Sequence, residues 1–218
     1  MEEKKLTRRR QQAIDTKNRI FEVTMQLGSE IGYESLDISS ICKAANISVG
    51  TFYHYFRSLD AVFQEQYYQY DSFIAKSIQD SPLLGSATER LWQLFSLKYR
   101  YVVAHGVQSI VRQYRGQFAQ VDSENSIFYS EERITVKALI SILEEGIANG
   151  EFVMGDSPKF VANVLLVFSR GILVDWALKN GSYDLEKVAL QNLNLIMRQY
   201  IVDPGSSGTP LSQQPRPS

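Results

Sequence analysis

The chain contains very little cysteine and histidine. Its 218 residues include one cysteine, Cys42, and two histidines, His54 and His105. A single thiol cannot form a disulfide within the chain, which fits a reducing cytoplasm. The histidines lie far apart, and there is no cysteine pair, H-E-x-x-H motif or glycine-rich phosphate loop. The sequence therefore predicts no metal, no cofactor and no catalytic residues, and an enzyme is the least favoured class.

Long apolar runs and a strong net charge are also missing. The longest purely apolar run, residues 164–168, is far too short to cross a membrane. The first residues are charged and no apolar run follows, so we expect no signal peptide. The net charge is −1, and residues 1–57 hold nine Lys/Arg against seven Asp/Glu. This weak asymmetry agrees with a cytoplasmic protein whose N-terminal part faces DNA.

Two short helices joined by a tight bend are predicted within residues 36–56. Asp37 is a good N-cap for the first helix, whose apolar residues recur at helical spacing. Asn46 tolerates a left-handed backbone at the bend, and Ser48 can cap the second helix. That second helix begins at Val49 and carries hydroxyl and aromatic side chains with no acidic residue. The pattern indicates a helix-turn-helix whose second helix enters the major groove of DNA.

This segment resembles the DNA-binding domain of the tetracycline-repressor (TetR) family of transcriptional regulators. The likeness covers roughly residues 13–65 and holds in both order and spacing. The family usually has a lysine where this chain has Leu59, so one expected phosphate contact is lost, and Arg57 is the candidate to replace it. The matching residues are Ile20, Phe21, Gly32, Tyr33, Ile41, Ala44, Ala45, Ile47, Ser48, Gly50, Thr51, Tyr53, Phe56, Val62 and Phe63.

The resemblance implies specific roles in the second helix. Thr51 and Tyr53 would hold backbone phosphates, while His54 and Tyr55 would lie at the groove. The first turn of that helix would come within reach of base edges, and Phe56 is expected in the core. The expected DNA-binding residues are Lys43, Ser48, Val49, Gly50, Thr51, Tyr53, His54, Tyr55 and Arg57.

Helical periodicity continues to about residue 202, so we predict an all-α fold. An N-terminal three-helix helix-turn-helix DNA-binding domain at 13–64 would precede a larger helical ligand-binding and dimerisation domain at 65–202. Residues 1–12 would form a basic flexible arm, lying either in a minor groove or free in solvent. Residues 203–218 hold four of the six prolines and are expected to be disordered.

Aromatic residues are frequent between positions 67 and 129. The equivalent helices line a ligand cavity in the family, although ordinary core packing is the alternative for each single residue. Buried tyrosines need hydrogen-bond partners, so such a pocket would be apolar with a few polar anchors. The expected ligand-binding residues are Tyr67, Trp92, Phe95, Tyr99, Tyr114 and Phe118.

Two helices near the C-terminus carry more apolar surface than one domain needs. The helix across residues 160–177 is apolar nearly all round, and the helix after Asp184 has two apolar stripes. A second copy of the chain is the simplest cover, so we predict a homodimer. The expected interface residues are Phe168, Ile172, Trp176, Leu193 and Met197.

These features predict a ligand-responsive DNA-binding regulator. The resemblance implies a repressor released from a palindromic operator by a small apolar or aromatic effector. The alternative is a helical protein-interaction module whose helix-turn-helix is only structural. Salt-dependent retention on operator DNA would separate the two, because phosphate contacts release counterions.

Overall fold

The computed structural model describes residues 8–118 and 132–202. These residues are mainly helical, and an isolated antiparallel bridge between Phe152 and Ile201 is the only β pairing among them. The all-α class is therefore confirmed. The helices are α1 (Arg8–Ile31), α2 (Ile38–Ala44), α3 (Val49–Tyr55), α4 (Leu59–Asp80), α5 (Ala87–Phe118), α6 (Ile134–Ala148), α7 (Pro158–Leu178) and α8 (Leu185–Met197).

The described residues form two compact units. Residues 8–68 and 108–118 belong to the first unit, and residues 69–107 and 132–202 to the second. Helix α5 is interrupted at Gly106, whose φ of 75° and ψ of 167° are not helical. The domain boundary at 64/65 stays a prediction.

Helix α1 begins earlier than the sequence suggested. Residues 8–12 were expected in the flexible arm, but they form the first turn of α1. Arginine and glutamine are good helix formers, and no proline or glycine separates them from the periodic residues that follow. The rest of the arm, the predicted loop at 119–125 and the C-terminal tail at 203–218 lie outside the described residues.

The first unit has a core built from α1, α2, α3 and the start of α4. The Tyr33 ring, in a short 3₁₀ turn after α1, packs edge-on against Phe63 with the ring centroids 5.5 Å apart. A Cβ at Gly28 would lie 2.3 Å from the Tyr33 ring, so this glycine allows the ring to pack on α1. The fully buried core residues include Ile20, Ile41, Phe52, Val62 and Phe63.

Lys17 joins α1 to α4 inside this unit. Its ammonium lies 2.6 Å from a carboxylate oxygen of Glu65, which is almost fully buried. The same ammonium is 5.6 Å from the ring centroids of Phe56 and Tyr68. Charge pairing and cation–π attraction therefore act together on one lysine, and both fix the start of α4 against α1.

The second unit contains a buried ion pair between α4 and the start of α6. The guanidinium of Arg133 donates to both carboxylate oxygens of Asp71, at 2.8 and 3.0 Å. Thr135 donates its hydroxyl hydrogen to the same carboxylate at 2.6 Å. A bidentate pair with a further donor satisfies most of the carboxylate's hydrogen-bonding capacity, as a buried charge requires.

The start of α5 is capped twice. Ser86 and Glu89 form a capping box: the Ser86 amide donates to the Glu89 carboxylate, and the Glu89 amide donates to the Ser86 hydroxyl. Glu151, far along the chain, accepts a second bond from the Ala87 amide at 2.8 Å. Glu151 follows α6, so this bond ties the end of α6 to the start of α5.

The expected dimer residues are mostly buried inside one chain, which corrects that prediction. Ile172 and Trp176 on α7, and Leu193 and Met197 on α8, have at most 8% of their surface exposed. They pack within the second unit, where α7 contacts both α6 and α8. Of the expected set only Phe168 keeps an intermediate exposure. A side chain already covered by its own chain cannot supply the main contacts to a second copy.

Helix α7 is the one helix in the described part of the chain whose length and composition would allow it to cross a membrane. The same features are found in core helices of soluble proteins. In α7 the residues Leu165, Ser169 and Leu173 are buried among the helices of the second unit. Its position in that core accounts for much of its apolar character.

Candidate nucleic-acid interface

Helices α2 and α3 form a helix-turn-helix whose ends are fixed by local hydrogen bonds. The Asp37 carboxylate accepts from the Ser40 amide at 2.9 Å, and the Ser48 hydroxyl accepts from the Thr51 amide at 3.0 Å. Between them Asn46 has a φ of 51°, the left-handed conformation expected at the bend. Both predicted caps and the predicted turn are confirmed.

One face of α3 packs into the core of the first unit. Phe52 is fully buried and Phe56 is nearly so, and their ring centroids lie 6.0 Å apart. Tyr55 and Leu59 are half-buried against the same core. Leu59 is therefore used for packing, which explains why an apolar residue stands where a phosphate-binding lysine was expected.

The opposite face of α3 is open to solvent. Val49 is 48% exposed and Tyr53 is 52% exposed, although both are large hydrophobic residues. Gly50 and His54 are exposed on the same short helix, and Thr51 is half-buried. Tyr53 is more exposed than expected, since its ring touches Phe52 only edge-on with the centroids 5.7 Å apart. An exposed face of this kind presents a methyl-rich edge and a phenol hydroxyl to a partner.

Ser48 and Thr51 have structural roles in addition to the expected contacts with DNA. Their hydroxyl oxygens lie 2.8 Å apart, and the Ser48 oxygen also caps α3. Each hydroxyl is therefore partly engaged within the protein and keeps hydrogen-bonding capacity for a partner. The pair holds the first turn of α3 in a fixed conformation.

Gly50 is not required by the packing of the protein itself. A Cβ at this position would meet only the Ser48 hydroxyl oxygen, at an ordinary contact distance of 3.8 Å. The backbone here is helical, so no positive φ demands glycine. A bare backbone at the exposed first turn of α3 instead suits the close approach of a second molecule.

Exposed cations flank α3 in the sequence, and others lie on α1 of the same unit. Lys43, at the end of α2, and Arg57, just after α3, are both exposed. The first turn of α1 adds three exposed arginines, Arg8, Arg9 and Arg10, and has no acidic residue. Cations at a helix N-terminus oppose the helix dipole, so these arginines do not stabilise α1 and suit phosphates instead.

Cys42 lies beneath this surface and not on it. Its side chain is buried in the core of the first unit, and its thiol points to the Ser48 carbonyl oxygen at 3.8 Å. Burial raises the pKa of the thiol, which suppresses the reactive thiolate. Cys42 is therefore a core residue of the first unit.

The expected ligand-binding residues are dispersed through the described structure. Trp92 lines an open cleft of about 680 Å³ in the second unit, together with Ser96, Arg100 and Glu186. Phe95 and Tyr99 do not line this cleft; they are buried and stacked, with ring centroids 6.2 Å apart. Tyr67 and Tyr114 belong to the first unit, and the side chain of Phe118 lies outside the described residues. A ligand role for these residues stays a prediction.

A half-buried polar group that the sequence did not reveal lies beside Tyr99. The Lys98 ammonium donates to the Ser169 hydroxyl at 2.6 Å, and the Tyr99 hydroxyl donates to the same oxygen at 2.9 Å. Burial, together with the charges of Arg133 and Arg170, lowers the pKa of Lys98 to about 7. The partners lie about 70 residues apart, so only the fold brings them together.

The decisive comparison concerns the helix-turn-helix. Residues 20–65 match the sequence profile of the family described as bacterial regulatory proteins, tetR family. The matched range spans α2, the turn and α3, with the end of α1 and the start of α4 on either side. Residues 20–65 therefore form a helix-turn-helix domain of the TetR type. The resemblance found in the sequence is thereby confirmed.

Other TetR-type regulators are similar along most of the chain. A fatty acid metabolism regulator protein of Bacillus subtilis is 25% identical over 181 residues, covering 79% of this chain and 88% of the relative. The transcriptional repressor KstR2 of Mycolicibacterium smegmatis is 23% identical over 199 residues, covering 85% and 91%. Both relatives are named as regulators and neither as an enzyme.

A solved structure shares the fold. The transcriptional repressor FadR of Thermus thermophilus, crystallised with lauroyl-CoA, superposes with a TM-score of 0.66 at 19% sequence identity. The alignment covers 88% of this chain and 98% of the other. The architecture of a TetR-family regulator therefore extends through both units.

Proposed function

We propose that the protein is a transcriptional repressor that binds a palindromic operator through α3 and leaves it when a small effector binds the second unit. The observation that carries the DNA-binding part is the exposed face of α3. It combines Gly50, Thr51 and Tyr53 with neighbouring cations, and α3 contains no acidic residue. Hydroxyls and cations supply phosphate contacts, and the bare first turn allows base edges to be reached.

A homodimer supports this function, because two recognition helices are needed for two half-sites. Phe160, Val167 and Val174 are exposed on α7 at intervals of seven residues, so they share one face of the helix. Leu178 on α7 is 82% exposed and Leu195 on α8 is 64% exposed. These five residues, which we call the α7–α8 stripe, replace the buried residues predicted earlier as the interface. Two stripes meeting face to face would form a four-helix bundle.

The effector is proposed to be an apolar or aromatic molecule. The cleft beside Trp92 and the buried aromatics of α5 offer apolar surface with a few polar groups. The Thermus thermophilus relative was crystallised with lauroyl-CoA, so acyl thioesters are the first compounds to screen. An effector acts only if it binds the DNA-free and DNA-bound conformations with different affinity.

The proposal is tested by selecting genomic DNA fragments that the purified protein retains. We expect one palindromic motif with half-site centres about 10 base pairs apart, or a multiple of that spacing. Affinity for that motif should fall steeply with salt, because each neutralised phosphate releases counterions. Retention of unrelated fragments with no shared motif would contradict an operator-specific regulator.

A further inference from the structure

The Lys98 ammonium is placed where a cation has few partners. It lies 2.6 Å from the hydroxyl of Ser169, which is completely buried, as is the neighbouring Tyr99. An ammonium has three N–H donors, and Ser169 is its one hydrogen-bond partner in the described part of the chain. Two donors of the half-buried Lys98 therefore have no acceptor among the described residues.

No carboxylate in the described residues neutralises Lys98. The charged groups that act on it are Arg133, before α6, and Arg170, on α7, and both are cations. The nearby carboxylate of Asp71 is already held by Arg133 and Thr135. Within the described residues, the charges that act on Lys98 therefore disfavour its protonated form.

A second unsatisfied donor borders the same arginine. The Tyr70 hydroxyl is buried beside the Thr135 hydroxyl, which donates its own hydrogen to Asp71, and Tyr70 makes no hydrogen bond of good geometry among the described residues. The Arg133 guanidinium lies 5.9 Å from the centre of the Tyr70 ring. A poorly satisfied donor thus occurs on α4 and another on α5, and the charge of Arg133 acts on both groups.

We propose that this group of residues binds an oxyanion, either a carboxylate or a phosphate, carried by the effector. The ammonium of Lys98 would be its counter-ion, and the Tyr70 hydroxyl would donate a further hydrogen bond. An oxyanion supplies only acceptors, which is what two free N–H groups and one free O–H group lack. The inference rests on the proposed function, since it names the chemistry of the effector that the second unit binds.

The experiment measures direct binding of three probes by calorimetry with the full-length protein. Octanoate carries a carboxylate, octyl phosphate carries a phosphate, and octan-1-ol has a similar tail without charge. We expect at least one anion to bind about tenfold more tightly than the alcohol, since charge-assisted hydrogen bonds are the strong ones. The stronger of the two anions identifies the oxyanion. Equal affinity for all three probes, or no binding of either anion, overturns the proposal.

The variant Lys98→Met keeps the side-chain stem and removes the charge. It should lower the affinity for the anion about tenfold and leave that for octan-1-ol unchanged. Lys187→Met removes an exposed cation from α8 in the same unit and should change neither. An equal loss in both variants would mean that net charge alone attracts the anion, which contradicts a site at Lys98.

A measurement on the unaltered protein covers the case in which Lys98→Met does not fold. At pH 7 about half of the Lys98 side chains carry a proton, and a bound anion should raise the pKa and recruit the other half. Calorimetry in two buffers of different ionisation enthalpy should therefore report an uptake of roughly half a proton per anion. Binding without proton uptake overturns the role of Lys98.

DNA binding by the ligand-free protein is measured separately. A protein that binds its operator but neither anion disproves this inference and leaves the repressor function standing. A protein that binds an anion through Lys98 but binds no DNA supports the oxyanion site and contradicts the repressor function.

Discussion

Tyr53 presents a phenol hydroxyl on the exposed face of α3. Tyr53→Phe removes that hydroxyl and keeps the ring, so it should weaken operator binding about fivefold per half-site. The loss should be similar for every DNA sequence, because a phosphate contact carries no base information. Fluorescence anisotropy with operator and scrambled duplexes measures the loss of affinity for each kind of DNA.

Tyr68→Phe is the matched control for this substitution. Tyr68 is also exposed and lies in the first unit, but on α4 outside the expected DNA-binding residues. Its variant should bind DNA as the unaltered protein does. If Tyr53→Phe relaxed the preference at a single base pair, the hydroxyl would be reading sequence and the phosphate assignment would be wrong.

Lys98 makes the stability of the fold depend on pH in an unusual direction. Its pKa of about 7 in the folded chain lies below the ordinary value, so the unfolded chain binds more protons at alkaline pH. The free energy of unfolding should therefore rise with pH above 7, by about 1 kcal/mol between pH 7 and 8. Urea unfolding of Lys98→Met across this range should lack that increment. If the free energy of unfolding rises equally with pH in Lys98→Met and in the unaltered protein, a group other than Lys98 causes the rise.

Local chemistry explains which single residues could be predicted. Asp37, Ser48 and the capping box at Ser86 act on amides three residues away, so the sequence alone identifies them. Lys98 could not be recognised, because its partner Ser169 is brought near only by the packing of α5 against α7. A lysine in a helical sequence is usually exposed, and nothing in its neighbours signals otherwise.

At the scale of elements, the buried face of α3 serves folding and its exposed face serves DNA binding. Gly50→Ala should leave the free energy of unfolding unchanged or raise it by about 0.5 kcal/mol, since alanine is the better helix former and its Cβ fits. Operator affinity should fall by roughly tenfold or more, because the Cβ would stand between the helix and the base edges. Chemical denaturation and anisotropy measure the two effects independently.

Gly155→Ala serves as the control, since a Cβ there also meets open space but lies between α6 and α7 in the second unit. It should leave DNA binding unaltered. Full operator affinity in Gly50→Ala would show that the backbone of α3 does not approach DNA closely.

Helix positions were predicted more reliably than helix faces. N-caps marked the starts of α2, α3 and α8, and the structure places those starts there. The start of α1 was missed because Arg8, Arg9 and Arg10 lack an apolar periodicity although they favour helix. On α8 the sequence offered two apolar stripes, and only packing shows that Leu193 and Met197 face inward.

At the scale of the whole molecule, assembly should depend on the α7–α8 stripe. Val167→Asp and Leu178→Asp place a charge on exposed positions of α7, so they should yield a folded monomer at micromolar concentration. Leu193→Asp instead buries a charge in the core and should destabilise the chain by about 3 kcal/mol or more. Sedimentation and circular dichroism distinguish a lost partner from a lost fold.

Val153→Asp is the control for an exposed valine outside that stripe, and it should remain dimeric. If the unaltered protein is a monomer at micromolar concentration, the proposed homodimer is wrong. A dimer that survives both α7 substitutions would place the interface on another surface.

The bond between Glu151 and the Ala87 amide has a consequence for the order in which the protein is synthesised. The two residues are 64 positions apart, so the ribosome has already released the start of α5 when Glu151 is still to be translated. At about 5–20 residues per second this interval lasts roughly 3–13 s. During it, the local box of Ser86 and Glu89 alone protects the first turn of the nascent helix. Weakening that box with Ser86→Ala should therefore reduce the yield of soluble protein in cells more than it reduces the equilibrium stability of the finished chain.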